Sequence, residues 1–274
     1  MNAVLKLWAA ALAWQSRAVL WRHLRVHLRN WYTSFLPPAL EPVIMLLAFG
    51  LGLGAHMGGM PAGDGKVPYA SWLAPGLLAY AAFLTPFFQS LYGAFIRMHF
   101  QKTWEGQLTT QVALPHVIWG EVLWAATLGV IYTAIVGTVV GICAVAGLMP
   151  LHLAWLPIAL PLAFGFGLAV SLLSLLFTAW LPSIDHMTIP TFVIALPLGF
   201  TSNTYFPLPV ELPWVAVLAE CNPLYHLAEG LRGLLLGGPA LRHLALCLGE
   251  SALAMLILLP LVQRRLQRRV LGDA

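Results

Sequence analysis

The sequence predicts an all-α membrane protein with six transmembrane helices, an N-terminal amphipathic helix in the interface and a re-entrant hairpin before the last span. Three observations predict it. Of the 274 residues, 60% are hydrophobic and 9% charged, whereas a soluble domain carries about 25% charged residues. The mean hydropathy is +0.82. Apolar runs long enough to cross the hydrocarbon core, about 20 residues, recur along the chain between short polar or Gly-rich connectors. So few charges cannot cover a globular surface, so lipid is the solvent and a single helical bundle is expected.

Residues 1–32 form the leader. Leu7–Trp14 resembles the apolar part of a secretion signal, but it is short and Arg17, Arg22, Arg25 and Arg29 follow closely, so a retained segment is expected. Within residues 17–31, Leu20, Leu24, Leu28 and Trp31 share one helical face, with Arg22, Arg25 and Arg29 opposite. That pattern suits a helix lying in the membrane interface, basic side toward anionic headgroups and cytosol.

Residues 33–274 form the membrane domain. Span one runs from Thr33 to Ala55, followed by a Gly-rich loop at His56–Pro68. Span two covers Tyr69–Phe95, span three Val117–Ala146 and span four Leu153–Trp180. Span five starts near Ile189 and falters at Thr201–Pro207, and span six lies between Leu241 and Val262. Five basic residues precede span one, two follow span two (Arg97, Lys102) and four follow span six (Arg264, Arg265, Arg268, Arg269). Those 11 of 14 Lys and Arg fall on one side, leaving Lys66, Arg232 and Arg242 on the other. The positive-inside rule makes the first side cytoplasmic, with both termini there.

Two polar segments interrupt this plan. Residues 207–239 are too broken by proline and polar groups for an ordinary span. Asn222 suits a helix cap with Pro223 at the first helical position, Leu224, Leu227, Leu231, Leu234 and Leu235 make an apolar face, and Gly237-Gly238-Pro239 ends the helix. Tyr225 lies on that helix, and Glu229 and Arg232 pair at i, i+3. A re-entrant hairpin that lines a path or caps its outer end is expected. The cytoplasmic segment 97–111 has the length for about four helical turns. Phe100 and Trp104 would anchor a partner and Arg97, Lys102 and Glu105 would set polar register.

Most other chemistries fail at the sequence. No Walker sequence is present: around Gly65-Lys66, Met60 and Val67 break the pattern, so no nucleotide site is assigned to this chain. HExxH and GxSxG are absent, and no His follows Gly249-Glu250-Ser251, so no catalytic residue is assigned. Cys143, Cys221 and Cys247 are scattered, and neither a disulfide framework nor a metal site is supported. The net charge of +4 sits at span ends, so no nucleic acid is expected. Glu41 and Glu121 near span starts are read as headgroup-zone residues, and no midplane chain of carboxylates or His marks a proton-coupled carrier. Gly50/Gly54, Gly137/Gly141 and Gly233/Gly237 have the spacing of close-packed helix faces.

The stretches FLPPALEPVIMLLAFGLGLGAHMG (Phe35–Gly58), KTWEGQLTT (Lys102–Thr110), GEVLWAAT (Gly120–Thr127) and NPLYHLAEGLRGLLLG (Asn222–Gly237) together resemble the ABC-2 type permease family. Within it they look most like the membrane subunits of nodulation lipooligosaccharide exporters. The resemblance implies six spans, a coupling helix after span two and a re-entrant hairpin before span six. It also implies a permease dimer in a bacterial inner membrane, worked by two copies of a separate cytoplasmic ATPase. A lipid-linked oligosaccharide is the implied cargo. An O-antigen-like polysaccharide or a drug stays open, and so do a stand-alone carrier and an intramembrane enzyme.

Overall fold

Inside a bilayer no water satisfies a free backbone N–H or C=O, so a chain this apolar closes its hydrogen bonds within helices. The computed structural model describes residues 3–32, 40, 43–54, 56, 58–62, 65–209 and 211–272. Four of its helices are long and apolar enough to cross a membrane: α4 (Tyr69–Phe100), α6 (Leu114–Val145), α7 (Leu153–Trp180) and α12 (Leu241–Leu271). Their contacts are the most extensive in the molecule, with α7 at the centre touching α4, α6 and α12. Before them come α1 (Ala3–Ala9) and α2 (Trp14–Arg29), and then a π-type segment, α3 (Leu46–Leu53). A two-stranded antiparallel hairpin, β1 (Met60–Ala62) and β2 (Gly65–Val67), pairs Met60 with Val67 in the loop before α4.

Small side chains decide how closely these helices approach. Pro86 of α4 sits where a Cβ on Gly129 of α6 would come within 2.7 Å of its ring, and it also lies against Gly167 of α7. Three helices therefore meet at one proline through two glycines. Among the glycine pairs expected from spacing, Gly233 has Ala240 and Pro239 at 2.9 Å from a built Cβ, a close approach. Gly137 and Gly141 have only ordinary contacts, so that pair marks no close helix crossing.

The expected first span is described only as a helix over residues 43–53; most of its N-terminal half, with Glu41, lies outside the described residues. The expected fifth span is shorter than a crossing. It consists of α8 (Thr188–Pro190), a π-type turn (Thr191–Ala195) and α9 (Leu196–Phe200). The two helices of the 207–239 segment are α10 (Pro213–Glu220) and α11 (Pro223–Leu236). The Asn222 side chain accepts from the Leu224 N–H at 3.0 Å, and Gly237 closes α11 in the left-handed region at φ 81°. Leu224, Leu227, Leu231 and Leu235 are buried, with Leu234 half-buried.

Segment 97–111 differs from the expected four-turn helix. Arg97 and Phe100 belong to the end of α4, which runs five residues beyond Phe95 through two π-type turns, Gln89–Gly93 and Ile96–Phe100. Lys102 breaks the helix with φ 54°, and α5 is only Thr103–Leu108. A left-handed non-glycine residue is uncommon; here it turns the chain back so that α5 faces the start of α6.

Candidate functional site

Gly120 is where the leader meets the membrane helices. A Cβ there would lie 2.3 Å from Cγ1 of Val19, so only glycine lets α2 settle on α6. Ser16, Val19 and His23 are buried in that contact. Trp119 donates its indole N–H to the Leu7 carbonyl at 2.8 Å, and Ser16 donates to the Ala10 carbonyl at 2.6 Å. The expected apolar face of α2 is placed differently: Leu20 and Leu24 are half-buried, while Leu28 and Trp31 are exposed beside exposed Trp21.

One residue on, Glu121 is fully enclosed by protein, so its carboxylate does not face lipid headgroups directly. Its carboxylate receives side chains from three other helical elements. Arg97 Nε donates to Oε1 at 2.9 Å and to Oε2 at 3.1 Å, and a second guanidinium nitrogen also reaches Oε2. Trp104 Nε1 donates to Oε1 at 2.9 Å. His23 Nε2 stands 3.4 Å from Oε1, within ion-pair range. A carboxylate shared by α2, α4, α5 and α6 is costly to desolvate and stable only because charged and neutral donors surround it.

Trp104 is therefore not a surface anchor; it is wholly buried and points at Glu121. Phe100 is 60% exposed. Lys102 and Glu105 form an exposed pair at 2.7 Å. The coupling set thus divides into an inner half, Arg97 and Trp104, and an outer half, Phe100, Lys102 and Glu105.

Behind the clasp, Gln89 ties the π-type turn of α4 to α6. With its amide oxygen turned toward the donors, that oxygen accepts from Trp124 Nε1 at 2.7 Å and from Arg97 Nη1 at 3.1 Å. The Thr178 hydroxyl of α7 shares its proton between the Ser90 and Leu91 carbonyls at 2.9 and 3.0 Å, supporting the same turn from the other side. His27 stands edge-on to Trp124 at 5.2 Å between ring centres, and burial on the leader pushes its pKa down.

Two cavities flank this turn. One of about 280 Å³ lies among His23, His27, Arg97 and Trp124. A larger cleft of about 460 Å³ lies between α4 and α6, with Met45 and Tyr205 at its side. Tyr80, Phe88, Tyr92, Tyr132 and Tyr205 give it aromatic walls, and Thr85 and Gln89 give it polar positions. Gln89 and Gly93 line both cavities.

The second set of expected residues separates into two places. Arg232 lies 3.9 Å over the Trp72 ring and donates Nε to the Trp72 carbonyl at 3.2 Å. It donates Nη2 to the Asn203 carbonyl at 2.9 Å and pairs with Glu229 through Nη1. Asn203, held at φ 58°, donates its amide to Glu229 at 2.6 Å. Tyr69 OH donates to the Tyr205 carbonyl at 2.5 Å, linking this knot to the cleft wall. Asn222, Pro223 and Tyr225 are at the start of α11. There the Asn222 amide reaches the Leu198 carbonyl at 2.9 Å and Thr201 Oγ1 at 3.0 Å, tying α11 to α9.

Glu121, Gln89, Trp72 and Asn203 were not picked out by sequence as site residues. The signal for Glu121 was present: a carboxylate two turns inside an apolar run, between Trp119 and Trp124. Among the described residues no group of His, Cys, Asp and Glu is placed to hold a metal ion.

A profile of the ABC-2 type transporter family matches residues 15–236, a span that includes the clasp, the cleft and the Arg232 knot. Nodulation protein J of Rhizobium leguminosarum bv. trifolii is 33% identical over 265 residues, covering 93% of each chain. Nodulation protein J of Rhizobium meliloti strain 1021 is 32% identical over 270 residues, covering 97% of this chain and 99% of its own. The inner membrane transport permease YadH of Escherichia coli K12 is 24% identical over 223 residues, 81% of this chain and 83% of its own. Four crossing helices, a family match over most of the length and relatives matched nearly end to end place this chain in the ABC-2 type transporter family of multi-pass membrane proteins.

Proposed function

We propose that this chain is the membrane-spanning permease of an ATP-driven exporter that moves an amphipathic, lipid-linked oligosaccharide across a bacterial inner membrane. Two copies form the path and two copies of a separate cytoplasmic ATPase drive it. Each copy spans six times with both termini in the cytoplasm; the 43–53 and 188–200 helices are parts of spans one and five, and α10–α11 is the re-entrant hairpin. The observation that carries this reading is the position of Gln89 and Gly93, which line both the tyrosine cleft and the cavity behind the Glu121 clasp. A movement of α5 reaches Arg97 through Glu121, and Gln89 lies next to Arg97 on the cleft wall. A stroke applied at Lys102 and Glu105 therefore has a short route to a cargo-sized cavity.

The cleft chemistry supports an amphiphile. Tyrosine faces stack on sugar rings while Phe88, Leu77 and Met45 accept acyl chain. An O-antigen-like polysaccharide, or a drug, would use the same walls, and the test separates them. Inverted membrane vesicles holding this chain and its co-expressed ATPase are given a labelled lipo-chitooligosaccharide, a long polysaccharide on a lipid carrier, or a lipophilic drug. Uptake of the first that requires ATP and falls at least about tenfold in Tyr132→Ala, a loss of roughly 1.4 kcal/mol, supports the reading. Uptake of only the polysaccharide or the drug reassigns the cargo, and transport without any ATPase refutes the exporter.

A further inference from the structure

At the end of α7, three arginines of α12, Arg265, Arg268 and Arg269, line one cleft. Arg269 is already committed: its Nη1 donates to the Thr178 and Leu181 carbonyls at 2.6 and 2.7 Å, and its guanidinium lies 5.5 Å from the Phe95 ring centre. It closes the free carbonyls that a helix C-terminus leaves. Arg265 lies 5.4 Å over the ring of Trp180, a residue that is 54% exposed. Arg264, Arg265 and Arg268 are exposed, and none has an ion-pair partner among the described residues. Between the two helices, Trp180, Arg265 and Arg268 border an open cleft of about 540 Å³.

The same flank continues away from the cleft as exposed apolar surface. Leu253, Ile257 and Leu261 are 58%, 53% and 42% exposed, and they recur every four residues on one helix face. Arg264 and Arg268 extend that stripe at i+3 and i+7 from Leu261. One line along α12 thus runs from apolar side chains to guanidiniums, beside an exposed tryptophan. A soluble anion would use only the arginines, and an acidic protein surface would gain nothing from the leucines. An amphiphile with one negative head uses both.

We propose that the α7–α12 cleft is a binding site for an anionic phospholipid, its phosphate held by Arg265 and Arg268 and one acyl chain along Leu253, Ile257 and Leu261. The forked guanidinium matches phosphate oxygens in a way a hydrated ammonium does not. The site needs neither the cargo nor the ATPase to be as described above. It would fix the cytoplasmic ends of α7 and α12 together, with Arg269 as the protein's own contact beside the lipid's.

The experiment uses the full chain purified in detergent. Binding of phosphatidylglycerol, phosphatidylcholine and inorganic phosphate is measured by native mass spectrometry and by the shift of the thermal midpoint. The expected result is selective retention and stabilisation by phosphatidylglycerol over phosphatidylcholine, with no displacement by millimolar phosphate. Arg265→Gln/Arg268→Gln should weaken phosphatidylglycerol binding roughly 20-fold, and Arg268→Gln alone roughly fivefold. The single variant keeps the test decisive should the double variant fail to fold, because Arg268 is exposed and has no ion-pair partner among the described residues. Equal affinity for both lipids, or unchanged affinity in the variants, would overturn the proposal. Displacement by phosphate would assign the cleft to a soluble anion. Variants that keep the lipid but lose a co-purifying ATPase would assign the arginines to a protein surface.

Discussion

Arg97 and Glu121 meet side-on inside the protein, with Arg97 Nε 2.9 and 3.1 Å from the two oxygens of a carboxylate that has no exposed surface. One residue comes from the end of α4 and the other from the second turn of α6, and the pair is completed by Trp104 from the connector between them. Removing one partner of a buried ion pair leaves the other uncompensated, which costs about 3–5 kcal/mol. Glu121→Gln should therefore destabilise strongly, seen as an earlier denaturation midpoint in detergent. The paired change Arg97→Gln/Glu121→Gln should be milder than Glu121→Gln alone. A double variant as damaging as the sum of the singles would show that the pair acts separately.

Gly120→Ala places a methyl 2.3 Å from Val19 Cγ1 and 2.5 Å from its Cβ. Overpacking of this kind costs about 1–3 kcal/mol, and the softest response is for α2 to lift from α6. Limited trypsin digestion should cut faster within Arg17–Arg29 in Gly120→Ala. Val19→Gly in the same chain should restore protection. Unchanged cleavage would mean the leader is held by other contacts.

Trp104→Phe and Glu105→Lys should separate the two halves of the coupling segment. Phenylalanine keeps the buried ring but removes the donor to a charged acceptor, worth about 1.5–3 kcal/mol, so stability should fall. Glu105 is exposed and its pair with Lys102 is worth at most about 1 kcal/mol, so Glu105→Lys should leave the melting midpoint in place. It should reduce the amount of ATPase recovered with the purified chain. If ATPase recovery falls only in Trp104→Phe, the outer residues do not face the partner.

Reporter fusions test the orientation. Alkaline phosphatase inserted within His56–Pro68 or after Leu151 should be active, as a periplasmic enzyme. Fusions after Gln107, Asp185 or Ala274 should be inactive and their fluorescent-protein counterparts bright. The motive is the division of 11 of 14 basic residues onto one side. An active fusion after Ala274 would sink the six-span arrangement.

Much of the fold was legible because its signals are local. Four crossing helices announce themselves by unbroken apolar length, and the α11 ends follow from Asn222-Pro223 and Gly237, residues whose own chemistry sets the backbone. The division within 97–111 was not legible, because it depends on a left-handed Lys102 and on a tertiary partner 17 residues past Trp104. A tryptophan in a polar connector reads the same whether it faces a partner or a buried glutamate. The cleft was hidden for a related reason. Tyr80 and Tyr92 come from α4, Tyr132 from α6 and Tyr205 from the loop after α9, and only packing brings their rings to one wall. Arg232 was placed correctly beside Glu229, since i, i+3 spacing is enough, but its seat over Trp72 spans 160 positions in sequence.

The π-type turns at Gln89–Gly93 and Ile96–Phe100 give α4 a property that straight helices lack. Each such turn accommodates one residue more than an α-turn, and one residue corresponds to about 100° of rotation. Losing a single residue within either turn need not break α4; the π-type turn tightens to an α-turn, its hydrogen bonds re-form and the residues below keep their face. Arg97 would then still point at Glu121 while the tyrosines above stayed where they are. Length and azimuth are thus decoupled in this one helix, so a one-residue deletion here is taken up as a tighter turn rather than as damage to the bundle.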